Sequence, residues 1–355
     1  MINLGKKPKH KRDGKRWGKK FIDKRDWKKT NEDYIVRGEF LLDLNWVKSW
    51  DEELREMNAS KRGHPYEFPE SLIKLQAVWN QWVGLREVEG ITRKLTEVAK
   101  LPDYNDYSTI GRRITKVKTD FELPKQGFVS ATTDGSGMKM NQAGEYKYDR
   151  YGRKKKKDWL KVTITANPYT KDLLDMDVHV EGKGPSEPDI AMKHLKKLWG
   201  KGYTIDKFWG DGSFDVLDLF NLLEHHNTES AIPPRENASK NSNGSMRRLR
   251  EVFEFQNQDW EDWSRDKMYG LRWVGTEGIF SAVKRIFGEK TRSKSIETMY
   301  LEIKRRFWAY ETMRKYAKEK LAQGSSLYIC ATQHSYTNIY KITKKAISYK
   351  IKNLV

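Results

Sequence analysis

The spacing of apolar residues changes at Phe128, and that change limits the chain to a fold in which helices precede a sheet. Before it, Leu72, Leu75, Trp79 and Val83 recur at helical intervals and stripe one face of a helix that Gly84 ends. A second helix is expected from about Arg86 to Ala99, closed by Leu101-Pro102, and a third over 108–118 with Ser108 as its N-cap. On this third helix Ile110, Ile114 and Val117 share a face, Arg112 and Lys116 point the other way, and Arg113 lies at the boundary. Three short helices ending in a basic one read as a helix-turn-helix that presents Arg112, Arg113 and Lys116 to a DNA groove. A plain helical bundle with a solvated basic face would leave the same pattern.

From Phe128 onward the period is two. The run "FVSATTD" is β-rich and stops at Asp134-Gly135; Leu160, Val162, Ile164 and Ala166 alternate with polar residues, as do Leu174, Met176, Val178 and Val180. A helix over about 189–199, a strand near Thr204 to Trp209, a helix over about 215–226 and a short strand at Ser230 to Ile232 follow. The order βββαβαβ with a later closing helix predicts an α/β domain, a mixed sheet with helices on both faces. Residues 235–268, polar and rich in Asn, read as a loop insertion with a helical piece.

Charge says what such a protein meets. Lys and Arg number 69 against 49 Asp and Glu, for a net charge of +20. The excess sits at the ends, with 13 basic and 3 acidic residues over 1–29 and 17 against 5 over 284–355. Two basic ends around a nearly neutral middle suit a long polyanion gripped from two sides, although a charge block can also be a solvated tail. The longest apolar run, Leu327 to Ala331, is far short of the ~20 residues that span a bilayer. The single Cys330 makes no internal disulfide, no Cys/His cluster has zinc spacing, and a reducing compartment is expected.

Asp134 and Asp211, in "TTDGSG" and "GDGSFD", each stand where an apolar strand gives way to a Gly-rich turn, where α/β proteins set catalytic groups. Either Asp alone reads equally as a residue capping its own turn. In "GTEGIFSAVKRIFG", Thr276 is the expected N-cap, and Ile279, Phe280, Val283, Ile286 and Phe287 form the buried stripe. Glu277, Ser281 and Lys284 share the opposite face, because seven residues return to within about 20° at 3.6 residues per turn. Glu277 alone could be a first-turn Glu favoured by the helix dipole. Together the three carboxylates make an all-oxygen donor set, without His or Cys, suited to hard divalent ions such as Mg²⁺ or Mn²⁺. Two such ions about 3.5–4 Å apart serve phosphodiester chemistry. Elsewhere, Asp175, Asp177 and His179 read as the solvated side of a strand, and His225 and His226 as a helix end. The run Arg153 to Lys157 reads as either a phosphate contact or a solvated loop.

The order of these motifs resembles the DDE transposases of bacterial and archaeal insertion sequences, in the insertion-sequence-five branch of the insertion-sequence-four/five superfamily. Upstream, "RGEFLLDL", "HPYEFPESLIKL", "GLREVEGITRKL" and "LPDYNDYSTIGRR" resemble that branch's DNA-binding region, and "AIPPREN" its segment after the second Asp. The resemblance implies a ribonuclease-H-like catalytic domain in which Asp134, Asp211 and Glu277 hold two Mg²⁺ (or Mn²⁺) ions. It further implies attack by water, then by a DNA 3′-hydroxyl, at the ends of the element and at the target. The family's Tyr-Arg-Glu-Lys signature falls on Tyr269, Arg272, Glu277 and Lys284, implying DNA contacts from Tyr269, Arg272 and Lys284. Four residues separate Arg272 from Glu277 where the family usually has three.

The expected organisation is a basic arm over 1–33, a helical DNA-binding domain over 34–122, the catalytic domain over 123–320 with its insertion at about 235–268, and a basic tail over 321–355. The expected partner is double-stranded DNA, both terminal inverted repeats and target, bound by a homodimer or higher assembly; the expected location is cytoplasmic, at the nucleoid, with no membrane. A ribonuclease-H-like nuclease that cuts without joining, and an element-derived regulator that binds without cutting, are the rival readings.

Overall fold

The strand-forming period that begins at Phe128 marks the start of the central strand of the sheet. In the computed structural model the described residues are 26–99, 101–125, 127–141, 159–235, 238–239 and 244–323. They belong to two compact units, one of Met1–Phe40 with Tyr316–Val355 and one of Leu41–Lys315. In the smaller unit, α1 (Trp27–Glu39) is capped by Asp26, which accepts from the Lys29 N–H, and Phe40 meets Tyr316 edge-on at 5.3 Å. Arg153 to Lys157, the first 25 residues and those after 323 lie outside the described residues.

The larger unit opens with α2 (Trp50–Asn58), α3 (Glu70–Trp79), α4 (Leu85–Ala99) and α5 (Tyr107–Ile114). Leu72, Ile73, Val88 and Ile110 are fully buried between them, and a polar triad lies in the same core. There Gln76 donates to Thr92 at 3.0 Å and accepts from Asn105 at 3.1 Å, so the buried amide is satisfied. Two details differ from the expected helix over 108–118. Its N-cap is Asp106, whose carboxylate accepts from the N–H groups of Ser108 and Thr109; a carboxylate is the stronger acceptor, and Ser108 itself donates to it. The helix also stops at Ile114, where the Thr115 hydroxyl donates back to the Arg112 carbonyl and the chain tightens into a turn.

The sheet comprises β1 (Phe128–Lys139), β2 (Trp159–Ala166), β3 (Leu173–Val180), β4 (Thr204–Trp209) and β5 (Glu229–Ala231), in the order β3-β2-β1-β4-β5. The first three form an antiparallel meander; α6 (Glu187–Gly200) then crosses over to β4, which runs parallel to β1, and α7 (Leu217–His225) leads to the parallel β5. This is the ribonuclease-H-like arrangement of a mixed sheet flanked by helices. One face packs Val129, Ala131 and Phe208 against Leu195 and Leu198 of α6 and Leu219, Phe220 and Leu223 of α7.

The alternation on β2 and β3 does not mark a solvated face, as Asp175, Asp177 and His179 had suggested. Thr133 and Thr165 are buried and bonded at 2.8 Å, Thr165 meets His194 Nδ1 at 2.8 Å, and His194 Nε2 meets Asp177 at 3.0 Å. Lys193 and Lys197 pair with Asp177 and Asp175. Helix α6 lies over these positions and supplies partners to Asp175, Asp177 and Thr165, whereas His179 Nδ1 and Thr163 Oγ1 are buried without a hydrogen-bond partner among the described residues.

The expected loop insertion at 235–268 is largely helical, with α8 (Met246–Gln256) and α9 (Trp260–Asp266). Trp263 and Tyr269 pack there against Trp209 and Ala231 at the strand ends. After α10 (Leu271–Gly275) and α11 (Glu277–Phe287), the segment 288–293 bonds to Lys139 at the end of β1. A last helix covers 296–323. Its Arg306 and Glu302 pair in the core and bind the backbone of 288–293.

Candidate active site

Strand register brings the two Asp residues together. Thr132 of β1 faces Trp209 of β4 in parallel pairing, and Asp134 and Asp211 each lie two residues beyond that pair, at the same end of the sheet. Asp134 is still in β1, opposite Ile164 of β2. Asp211 is the N-cap of the short 3-10 turn Gly212–Phe214 and accepts from the Ser213 N–H at 2.8 Å. The capping reading and the catalytic reading of Asp211 are therefore compatible, because one lone pair suffices for the turn.

Asp134 is mostly enclosed. Its Oδ1 accepts from the Gly135 N–H at 2.9 Å, whereas Oδ2 is met only at 3.4 Å by the Thr276 hydroxyl and 3.5 Å by Arg272 Nη1. Burial pushes this carboxyl up to about 6; Arg272 and the Gly135 N–H oppose the rise, and the charges of Glu187 and Asp211 add to it. Glu277 opens α11 with its side chain 58% exposed, and Arg272 Nη2 stands 3.7 Å from its Oε1. The guanidinium of the buried Arg272 thus lies between Asp134 and Glu277, with its Nε unpartnered among the described residues. Gly275 lets α10 approach β1: a Cβ there would be 2.6 Å from Thr132 Cγ2 and 2.9 Å from Pro168 Cα.

Thr276, the expected cap, makes no side-chain capping bond; its hydroxyl is used on Asp134 and on the Arg272 carbonyl at 2.9 Å. Lys284, two turns after Glu277, donates to Ser136 at 3.0 Å, two residues past Asp134. Tyr269 is buried among aromatic rings near Arg272, and burial pushes its hydroxyl up to about 12. On α5 and the turn that follows it, Arg112 and Lys116 are exposed, whereas Arg113 is drawn inward by Glu70 at 3.5 Å and the Tyr66 ring at 4.4 Å. Sequence reasoning missed Glu187, the first residue of α6, whose charge acts on Asp134. The capping box from Ser186 to Asp189 was the available signal, since it starts a helix at Glu187.

A family described as the transposase DDE domain matches residues 131–311, about half of the chain, and a second family of the same description matches residues 35–143. The chain belongs to the DDE transposases. A solved piggyBac transposase synaptic complex with hairpin DNA is similar at 11% identity with a TM-score of 0.24, covering 81% of this chain and 81% of that chain. That likeness is too distant to carry residue correspondences. As a DDE transposase the protein is a DNA-processing enzyme of a class that generally depends on divalent metal, and none of its described helices is long and apolar enough to cross a membrane.

The donor set fits such an ion chemically: the oxygens are carboxylate, and the half-buried Asp134 Oδ2 lacks a short partner among the described residues. Among those residues, no three His, Cys, Asp or Glu already stand at ligand spacing around one point. Arg272 supplies positive charge between two of the carboxylates.

Proposed function

We propose that this transposase serves an insertion sequence: it binds the terminal inverted repeats as paired ends, cleaves phosphodiesters there and joins the ends to target DNA. The observation that supports this reading is the parallel register of β1 and β4, in which Asp134 and Asp211 each follow the Thr132–Trp209 pair by two residues, with Arg272 reaching from Asp134 to Glu277. In this reading Asp134, Asp211 and Glu277 hold two divalent ions, Mg²⁺ or Mn²⁺. When bound, such a pair activates the attacking oxygen and stabilises the leaving one.

The chain's own work is positioning. Asp134 is held within β1, Asp211 just past the end of β4 and Glu277 at the start of α11, so each carboxylate is carried by a regular element that limits its positions. Lys284 lies on the same helix and contacts a phosphate of the strand being cut, as a flexible point charge. Arg272, with Tyr269 packed beside it, would contact the DNA backbone. Arg112, Arg113 and Lys116 belong to a helical DNA-binding domain over 34–122, flanked by the arm over 1–33; the catalytic domain spans 123–320 and the basic tail 321–355. The protein works as a homodimer or higher assembly on paired ends, at the nucleoid.

The test uses terminal-repeat duplexes taken from the DNA flanking the gene. Asp134→Asn, Asp211→Asn and Glu277→Gln should each abolish cleavage while leaving duplex binding nearly intact, and double variants should be no worse than single ones. Strand-transfer products longer than the input end are expected with Mg²⁺ or Mn²⁺. Cleavage without such products would favour a nuclease, and binding without metal-dependent cleavage a regulator. Robust cleavage by any single variant removes that residue from the site.

A further inference from the structure

We propose that Asp215 is a positioning residue for Asp211, clamped by Arg248 of α8 and by the N–H of Arg235 so that the turn carrying the second carboxylate keeps one shape. The inference rests on the functional reading above and adds to it what holds that carboxylate in place. Asp134 is held by the pairing of β1 with β2, but Asp211 lies past the end of β4 and opens a 3-10 turn of three residues, Gly212–Phe214. So short a turn is weak by itself. Asp215 closes it: its N–H donates to the Gly212 carbonyl at 3.4 Å, and its side chain is fully buried. Both oxygens of that side chain are used. Oδ1 accepts from Arg248 Nε at 2.6 Å, and Oδ2 accepts from Arg248 Nη2 at 2.9 Å and from the Arg235 N–H at 3.0 Å. A two-bonded guanidinium fork fixes direction as well as distance.

The clamp reaches the turn from two parts of the chain. Arg235 lies in "AIPPREN", and its Nε also donates to the Gly212 carbonyl at 3.4 Å, the oxygen that receives the Asp215 N–H. Phe214, within the turn, is fully buried, and a Cβ on Gly210 would fall 2.8 Å from its ring, so the chain just before Asp211 is pressed against the turn that follows it. The first carbonyl of the turn, its last side chain and its closing residue are thus each anchored by other elements. The bond from the Ser213 N–H to Asp211 at 2.8 Å then sets the carboxylate relative to that turn. Loss of Arg248 would leave the buried Asp215 without its cation, and the turn would lose its closing anchor. An ion pair that only tied α8 down would leave the metal affinity of Asp211 unchanged when broken; one that fixes the turn changes it.

The experiment measures Mn²⁺ binding to the full chain without DNA, from the loss of the free-ion paramagnetic resonance signal. Metal-free thermal unfolding of each variant reports whether it folds. Asp211→Asn should lose the tight site. Asp215→Asn and Arg248→Ala should each weaken Mn²⁺ by about tenfold or more, a loss of the size that follows removal of a partner behind a metal ligand. Arg248→Lys keeps the charge but not the two-bonded fork, so it should fall between Arg248→Ala and the parent; it also carries the test if the other two do not fold. Arg250→Ala, on the same helix with its side chain 64% exposed, should bind as the parent does. Added to Asp211→Asn, Asp215→Asn should weaken the residual binding no further, because it acts through Asp211. Parental Mn²⁺ affinity in the folded Asp215 and Arg248 variants, or an undiminished further loss in the double variant, overturns the proposal; with the site lost in Asp211→Asn the functional reading still stands. Parental affinity in Asp211→Asn overturns that reading.

Discussion

Arg272 is the residue whose environment departs most from a surface DNA contact. It is 9% exposed and faces Asp134 and Glu277 at 3.5 and 3.7 Å, so without metal it is the counter-charge of the site. Arg272→Ala should therefore cost about 1–3 kcal/mol of stability in metal-free buffer, mostly from Asp134, since the exposed Glu277 is screened by water. Mn²⁺ should then raise the melting temperature of this variant more than that of the parent, because the ion replaces the missing charge. Equal shifts in a calorimetric comparison would mean that Arg272 does not share the site with the ion. Lys284 calls for a different experiment. Its contact with Ser136 leaves the carboxylates untouched, so Lys284→Ala should keep metal dependence and cleavage position while slowing cleavage at sub-saturating DNA. Lys284→Arg should partly restore the rate; cleavage by Lys284→Ala at the parental rate would remove this lysine from the DNA path.

At the scale of elements, α6 covers one face of the sheet. Its attachment to β3 depends on ionised Asp177, which His194 and Lys193 bind at 3.0 and 2.7 Å. Burial alone would raise this carboxyl, but the hydrogen bonds from His194 and Lys193 outweigh it and hold the group well below the usual carboxylate range. A group depressed in the folded state contributes stability above its unfolded value, about 3.9 for Asp, and that contribution is lost as pH falls below it. Urea unfolding should accordingly show the protein weakening as pH falls from about 4 toward 2, and Asp177→Asn should weaken less steeply over that range. Identical slopes would show that the β3–α6 tie does not depend on the charge. The polar positions of β2 and β3 were legible as alternation, yet alternation only separates two faces. Whether the polar face meets water or a helix carrying His194 and Lys197 depends on residues far along the chain.

For the whole molecule, net charge is the property that acts at a distance. The 13 basic residues over 1–29 are expected to neutralise DNA phosphates, each contact adding about −0.9 to the slope of log K against log salt. Deleting residues 2–29 should flatten the slope measured on a terminal-repeat duplex from low to moderate salt. An unchanged slope would make the arm a bystander. This expectation needs no structure, because counterion release depends on the number of phosphates neutralised.

The sequence by itself determined the order of helices and strands, the position of Asp211 just past the end of β4, and the helical phase relating Glu277 to Lys284. These follow from local geometry: a period of two or 3.6, a glycine-rich turn, a cap. Local rules also failed locally, where Asp106 out-competed Ser108 as a cap and Thr115 ended α5 early. Likewise β1, expected to stop at Asp134, instead continues through Gly135-Ser136-Gly137 to Lys139, because pairing with β2 holds it extended. Only the tertiary structure decided which charges share a site. The β1–β4 register sets Asp134 and Asp211 two residues past one strand pair, and the close approach of α10 at Gly275 brings Arg272 to 3.5 Å from Asp134 and 3.7 Å from Glu277. Electrostatic partnership depends on distance in space, and no period in the sequence encodes that distance.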